Sequence, residues 1–125
     1  MTLALLEAGA SVTAVEVDAA LVVALEEVVS RCPNADLRIV GGDALTVDWD
    51  LLLGNRAGAW HLVANLPYNV SVPLLCDLLD GVEAIGRMLV MVQREVAARL
   101  VARPGDAAYG LPSVKVSYHA EARIV

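Results

Sequence analysis

Four short runs of apolar and β-branched residues alternate with helix-like segments, and that alternation leaves the chain very few folds to choose from. Residues 11–18, 37–40, 60–64 and 86–92 each read as a strand by length and residue type. Asp18 is placed to cap a helix running to about Ser30, with Leu21, Val22, Leu25, Val28 and Val29 as its apolar stripe. Residues 48–53 read as a helical turn ended by Gly54, and residues 72–79 and 93–100 as further helices. Ahead of the first strand, residues 3–8 look like the end of a helix stopped by Gly9, and Asn34 and Asp36 turn the chain into the second strand. Strand, helix, strand, helix joined by short loops predicts an α/β fold, a mostly parallel sheet of right-handed crossovers with flanking helices. After a Gly/Pro/Asp-rich loop at 104–112, Val114, Val116 and Tyr118 alternate like a strand.

In such sheets ligands gather at the carboxyl ends of the strands. The most suggestive exit is Asn65-Leu66-Pro67-Tyr68-Asn69, which follows the apolar strand Trp60-His61-Leu62-Val63-Ala64. The Asn65 side-chain oxygen and the Leu66 carbonyl can both accept hydrogen bonds from an NH₂ group. Pro67 fixes its own φ and biases Leu66 toward an extended backbone, which sets the direction of that carbonyl. Tyr68 offers a rigid ring on which a base can stack. Together these groups suit a flat heterocycle carrying an amine. Asn, Pro and Tyr after a strand are also ordinary turn chemistry, so the neighbouring motifs decide.

Two acidic residues stand at comparable exits. Glu16 lies near the end of the first strand, where a carboxylate can accept hydrogen bonds from both hydroxyls of a ribose. Asp43 leaves the second strand after Gly41 and Gly42, which permit close approach of backbone to a ligand. Taken singly, Glu16 is explained as a solvated strand end and Asp43 as a turn former. Glu16, Asp43 and Asn65 in series, each at a strand's carboxyl end, point to a nucleoside site instead.

Composition narrows the class. With 125 residues, 58% of them hydrophobic and no Phe, the chain has room for at most one domain and excludes disorder. No apolar run is long enough to span a bilayer, and the start lacks the basic segment of a signal peptide while Glu7 interrupts its apolar stretch. Cys32 and Cys76 are far apart, with no CxxC and no clustered His, so neither metal site nor disulfide framework is expected; free thiols suit a cytoplasmic protein. The net charge of −6 argues against this chain gripping RNA phosphates alone. Its one basic concentration is Arg87, Arg94, Arg99 and Arg103, and on a helix the last three read as solvated surface before they read as an RNA cradle.

Asn65-Leu66-Pro67-Tyr68-Asn69 resembles the substrate loop of adenine-specific, S-adenosylmethionine-dependent methyltransferases. Leu66 at the second position resembles the small-subunit (16S) ribosomal RNA adenine dimethyltransferases of the KsgA/RsmA type, where DNA enzymes tend to have Pro and Erm resistance enzymes Ile. Four further segments fit in order: Leu3 to Gly9 behind a glycine-rich motif, Val15-Glu16-Val17-Asp18 as a ribose motif, Gly42-Asp43-Ala44-Leu45 as an adenine motif, and residues 92–100 with Tyr109-Gly110 and Ser113-Val114 as the segments that follow. The resemblance implies a Rossmann-like class I methyltransferase domain using S-adenosyl-L-methionine. Glu16, Asp43, Ala44 and Asn65 would hold the cofactor, and Asn65, Leu66, Pro67 and Tyr68 would carry the chemistry. It implies dimethylation of two adjacent adenosines near the 3′ end of small-subunit rRNA, on the immature small ribosomal subunit, with no membrane or metal involved. It also implies a helix over 111–119, against the strand-like alternation, and a strand from about Ala120.

Against that family pattern, the first strand with its glycine-rich loop and the C-terminal helical domain are absent, so the chain is expected to be a partial catalytic domain with unpaired backbone in its sheet, binding cofactor weakly. Three alternatives stand beside it. One is a non-catalytic methyltransferase fold kept for RNA binding or ribosome assembly. The second is an NAD-type oxidoreductase, which leaves the Asn65 loop unexplained and lacks a GxGxxG. The third is adenine methylation of DNA or large-subunit rRNA, disfavoured by Leu66.

Overall fold

The computed structural model describes residues 1–32, 35–54 and 56–125, so the expected turn residue Asn34 lies outside the described residues. The chain forms two compact units, residues 1–47 and 48–125, each taken by itself below. The class is the one the sequence predicts: parallel strands with flanking helices.

In the first unit α1 (Thr2–Glu7) leads into β1 (Val12–Glu16), α2 (Ala19–Val29) and β2 (Leu37–Gly41). Gly9, two residues past α1, has φ +82°, a backbone that favours glycine. Asp18 caps α2 through its side chain, accepting from Ala20 N at 2.8 Å. Strands β1 and β2 are parallel neighbours with Val12 opposite Leu37 and Glu16 opposite Gly41, and Asp36 O opens the ladder by accepting from Val12 N. The α2 stripe is narrower than expected. Val22, Leu25 and Val29 are half-buried, whereas Leu21 and Val28 are exposed, because a two-stranded sheet covers only a narrow band of helix.

The second unit holds the core. It runs α3 (Trp49–Leu53), β3 (Trp60–Asn65), α4 (Tyr68–Gly81), β4 (Ile85–Met91), α5 (Arg94–Val101) and α6 (Leu111–His119). Asp48 caps α3 by accepting from Leu51 N at 2.9 Å, and Gly54 ends it with φ +72°. The Trp60 indole N–H donates to Leu53 O at 2.9 Å, tying α3 to the start of β3. Strands β3 and β4 pair in parallel and form their own two-stranded sheet. One face of it packs under Leu75, Val96, Leu100 and Val116, joined by Leu62, Leu66, Val72, Leu79, Met88, Val90 and Val92. The alternate residues of β4, Leu89 and Met91, are exposed, so the strand read as wholly apolar is covered on one side within this unit.

One helix starts earlier than expected, and another decides between two readings. α4 begins at Tyr68 rather than Val72, since Pro67 at φ −65°, ψ 153° serves as its N-cap residue and its carbonyl accepts from Val70 N and Ser71 N. Pro73 then sits inside the helix, where the lost N–H is offset by burial of Leu74, Leu75, Cys76 and Leu78. α6 is helical, as the family resemblance implies and against the strand-like alternation. Ser113 and Val116, three residues apart, are its buried positions, and Ser113 Oγ donates to Arg99 O at 2.6 Å while accepting from Gly110 N. The strand expected from Ala120 does not form. Ala120 is extended (φ −153°, ψ 159°), but residues 120–125 pair with no strand among the described residues.

A bulge fixes the β3–β4 register. Trp60 faces Ile85 but His61 faces Arg87, so Gly86 is the extra residue. A Cβ on Gly86 would lie 2.8 Å from Gly58 Cα and Gly58 O, both backbone atoms. Gly86→Ala is therefore expected to destabilise the fold by about 1–3 kcal/mol, read as a lower urea midpoint at unchanged slope. Gly81→Ala, at the open end of α4 with nothing within 4 Å of the new methyl, is expected to leave the midpoint unchanged or raise it.

α6 is pinned to α4 by charge. Asp80 Oδ2 accepts from Lys115 Nζ, and Asp80 Oδ1 lies 3.0 Å from His119 Nε2. The Lys115 hydrogen bond, with its charge and His119 in support, holds the Asp80 carboxyl below its ordinary 3.8, and the same bond raises Lys115. A lowered carboxyl favours the folded state above the ordinary value and loses that contribution as pH falls through the folded one. At pH 7, Asp80→Asn is expected to speed hydrogen exchange of the α6 amides relative to the wild type. The difference should shrink below pH 3.8 and vanish once Asp80 is protonated in both states.

Candidate functional site

Glu16 and Asp43 share one end of the first unit. Glu16 is the last residue of β1, and its carbonyl accepts from Gly42 N at 2.9 Å, so the chain leaving β2 is hydrogen-bonded to it. Each carboxylate spends one oxygen locally. Glu16 Oε1 accepts from Asp18 N and Asp43 Oδ1 from Leu45 N, both at 2.9 Å. The Asp43 carbonyl accepts from Thr46 N and Val47 N, closing the loop that follows. The turn-forming role foreseen for Asp43 is thus present, and Oε2 of Glu16 and Oδ2 of Asp43 have no protein partner among the described residues. Ala44, next to Asp43, is half-buried. Where Gly41 would carry a Cβ there is open space, which leaves its backbone approachable. A shallow groove of about 320 Å³ elsewhere in this unit is lined by Glu26, Val29, Ala35, Leu37 and Ile39 and includes neither carboxylate.

In the second unit Asn65 closes β3 opposite Met91, and Leu66 N donates to Met91 O at 2.9 Å, extending the ladder by one rung. Strand alternation then divides the roles. Leu66 and Val92 turn into the core, while Asn65 and Met91 face outward on the opposite side of the sheet. Leu66 anchors the loop by burial, yet its carbonyl has no donor among the described residues, and neither does the Asn65 side-chain amide. Pro67 follows, its own carbonyl occupied by the first turn of α4. Tyr68, the first residue of that helix, is 64% exposed, available as a stacking surface. Ser71 fixes this turn from inside, fully buried and donating through Oγ to Tyr68 O at 3.1 Å.

This arrangement is an acceptor pair. Two uncharged oxygens at a strand tip, one mobile on a side chain and one held by backbone, suit an NH₂ donor beside an exposed aromatic ring. Each sequence-predicted residue thus sits at a strand exit or in the loop beyond it: Glu16, Asp43 and Ala44 in one unit, and Asn65, Leu66, Pro67 and Tyr68 in the other. The sequence singled out no role for Gln93, which leaves β4 beside the Asn65 loop; only the strand register reveals that proximity.

The remaining candidates are surface. Arg87, Arg94, Arg99 and Arg103 are exposed, and the ion pairs among the described residues both involve Asp80. Burial raises the Cys76 thiol, with Lys115 opposing, so it is a poor nucleophile. No three His, Cys, Asp or Glu among the described residues are grouped to hold a metal ion, and no helix is long and apolar enough to cross a membrane.

Comparison with known proteins identifies the family. The family model described as ribosomal RNA adenine dimethylase matches residues 1–125. Among the relatives, a protein of Corynebacterium jeikeium is 49% identical over 122 residues, covering 95% of this chain and 39% of its own length. One of Bifidobacterium longum is 46% identical over 129 residues (100% of this chain, 42% of the relative), and one of Streptomyces griseus 49% over 126 residues (98% and 42%). All three bear the name ribosomal RNA small subunit methyltransferase A. The chain spans about two fifths of the length of these curated relatives. With its whole length matched by that model, the chain belongs to the ribosomal RNA adenine dimethylase family.

Proposed function

We propose that residues 1–125 are part of the catalytic domain of a cytoplasmic enzyme that moves methyl groups from S-adenosyl-L-methionine to adenine amines of small-subunit rRNA. The targets on this reading are two adjacent adenosines near the rRNA 3′ end in the immature small subunit, each methylated twice. The free acceptor pair at the tip of β3, Asn65 and the Leu66 carbonyl, carries the reading. The names of the relatives support it.

The cofactor supplies a methyl group on a sulfonium, and the residues here do the holding and aiming. In the first unit the unoccupied Glu16 oxygen would accept from ribose hydroxyls and the free Asp43 oxygen from the cofactor's adenine amine, with Ala44 at the ring edge; Asn65 in the second unit would supply a further contact. These are acceptors, and the groups they would meet are donors. An adenine amine is a poor nucleophile because its lone pair is delocalised into the ring. Asn65 Oδ1 and the Leu66 carbonyl would each take one N–H, favour a tetrahedral nitrogen and free its lone pair for attack. Pro67 fixes the backbone that aims the carbonyl, and Tyr68 stacks on the extruded base to compensate for lost stacking in the RNA. No general base is required, because the nitrogen becomes cationic on methylation and then loses its proton to water. With a charge of −6, phosphate contacts fall mainly to surfaces beyond this chain.

The test is Asn65→Ala in the natural full-length chain. Methyl transfer to unmethylated small subunits is expected to fall by about 100-fold or more, while cofactor binding measured by calorimetry largely survives. Near-normal methylation by the variant would refute the assignment.

A further inference from the structure

One polar side chain beside the Asn65 loop has no task in the fold. β4 ends at Met91, opposite Asn65, and the chain continues through Val92 to Gln93. Val92 joins the core, as Leu66 does, so alternation returns Gln93 to the face that carries Asn65 and Met91. Gln93 is itself extended, at φ −60° and ψ 146°, and it is exposed. At strand spacing and rise its Cα lies about 8 Å from that of Asn65, within range for two amides to meet one base edge.

Its position makes the residue choice informative. Gln93 is the N-cap residue of α5, where Ser, Thr, Asn or Asp would close the first turn and stabilise it. The Gln93 side chain makes no cap hydrogen bond, and none to any other described residue. The position thus carries a longer amide that leaves the helix uncapped and reaches outward beside the acceptor pair.

We infer that Gln93 is a substrate-reading residue whose side-chain N–H donates to N1 of the target adenine. The inference rests on the function proposed above. Asn65 Oδ1 and the Leu66 carbonyl use both hydrogens of the amine, which leaves the ring nitrogen beside it as the next polar atom on that edge. Adenine presents an acceptor at N1, whereas guanine presents an N–H there, so a donor at this point admits adenine and opposes guanine. A third contact in the plane of the ring also stops the base rotating about its amine, keeping both N–H groups on their acceptors.

The test pairs an atomic change in the base with a change in the side chain, in the natural full-length chain. Short oligoribonucleotides carrying adenosine, 1-deazaadenosine (which keeps the amine and lacks N1) or uridine at the target are compared by competition binding. The wild type is expected to prefer adenosine to 1-deazaadenosine by about tenfold. Gln93→Ala and Gln93→Glu, neither of which can donate, should bring that ratio close to one, with cofactor affinity unchanged. A purely structural Gln93 would weaken both strands equally and preserve the ratio, which would overturn the inference. A wild type that prefers adenosine to uridine but ignores loss of N1 would overturn it too, leaving the function standing. No preference for adenosine over uridine would remove both.

Discussion

The hydrogen bond from Leu66 N to Met91 O governs most of what the second unit can do. It carries the β3–β4 ladder one residue past Asn65 and thereby decides which side chain enters the core. Leu66 goes in, beneath the cluster around Leu75, Val96, Leu100 and Val116, and Asn65 must go out. A slip of one residue would exchange them, burying an amide without partners and exposing a leucine. The apolar core and the polar tip are therefore one decision. Gly86 protects it from below, because the bulge there sets the register that the upper rungs inherit.

What could be read from the sequence was mostly local. Asp18 and Asp48 cap the helices that follow them, and Gly9 and Gly54 stand past helix ends with positive φ, because each feature depends on a handful of neighbouring atoms. Non-local features were harder. The strand-like alternation of Val114, Val116 and Tyr118 describes side chains, but helix formation there follows from the burial of Ser113 and Val116 against α4 and α5. Ala120 has the backbone of a strand and lacks a neighbour, a condition that residue type does not encode. The early start of α4 was obscured by Pro67, whose turn-forming character and preference for the edge of a helix look alike in a sequence. Gln93 was invisible for a related reason, since its closeness to Asn65 is a property of the register.

On the proposed function, the carboxylates would combine an ordinary role and a binding role in one residue. Asp43 closes its own turn through Oδ1 and the main-chain carbonyl, as a solvated loop aspartate would. That same turn fixes the plane of the carboxylate and aims the second oxygen. Glu16 does likewise through Asp18 N. A ligand meeting these groups would not have to order them first, so less of the contact energy would be lost to restraining side chains. At the level of sequence the two roles compete as explanations; in the folded chain the first would prepare the second.

The tip of β3 carries dipoles and no charge, and on the proposed reaction that choice has a consequence. During transfer, positive charge moves from the sulfonium onto the amine nitrogen. A carboxylate in place of Asn65 would attract the sulfonium before reaction as well as the amine during it, and stabilisation given equally to both states does not lower the barrier between them. It would also stand close to the phosphates of the incoming RNA, on a chain whose net charge is already −6. A neutral amide and a main-chain carbonyl aimed at the amine's two N–H bonds interact more strongly as those bonds become more polar, which happens only as the methyl is transferred. The burial of Leu66 keeps one of those dipoles still, and rigidity matters most for a group whose contribution depends on angle.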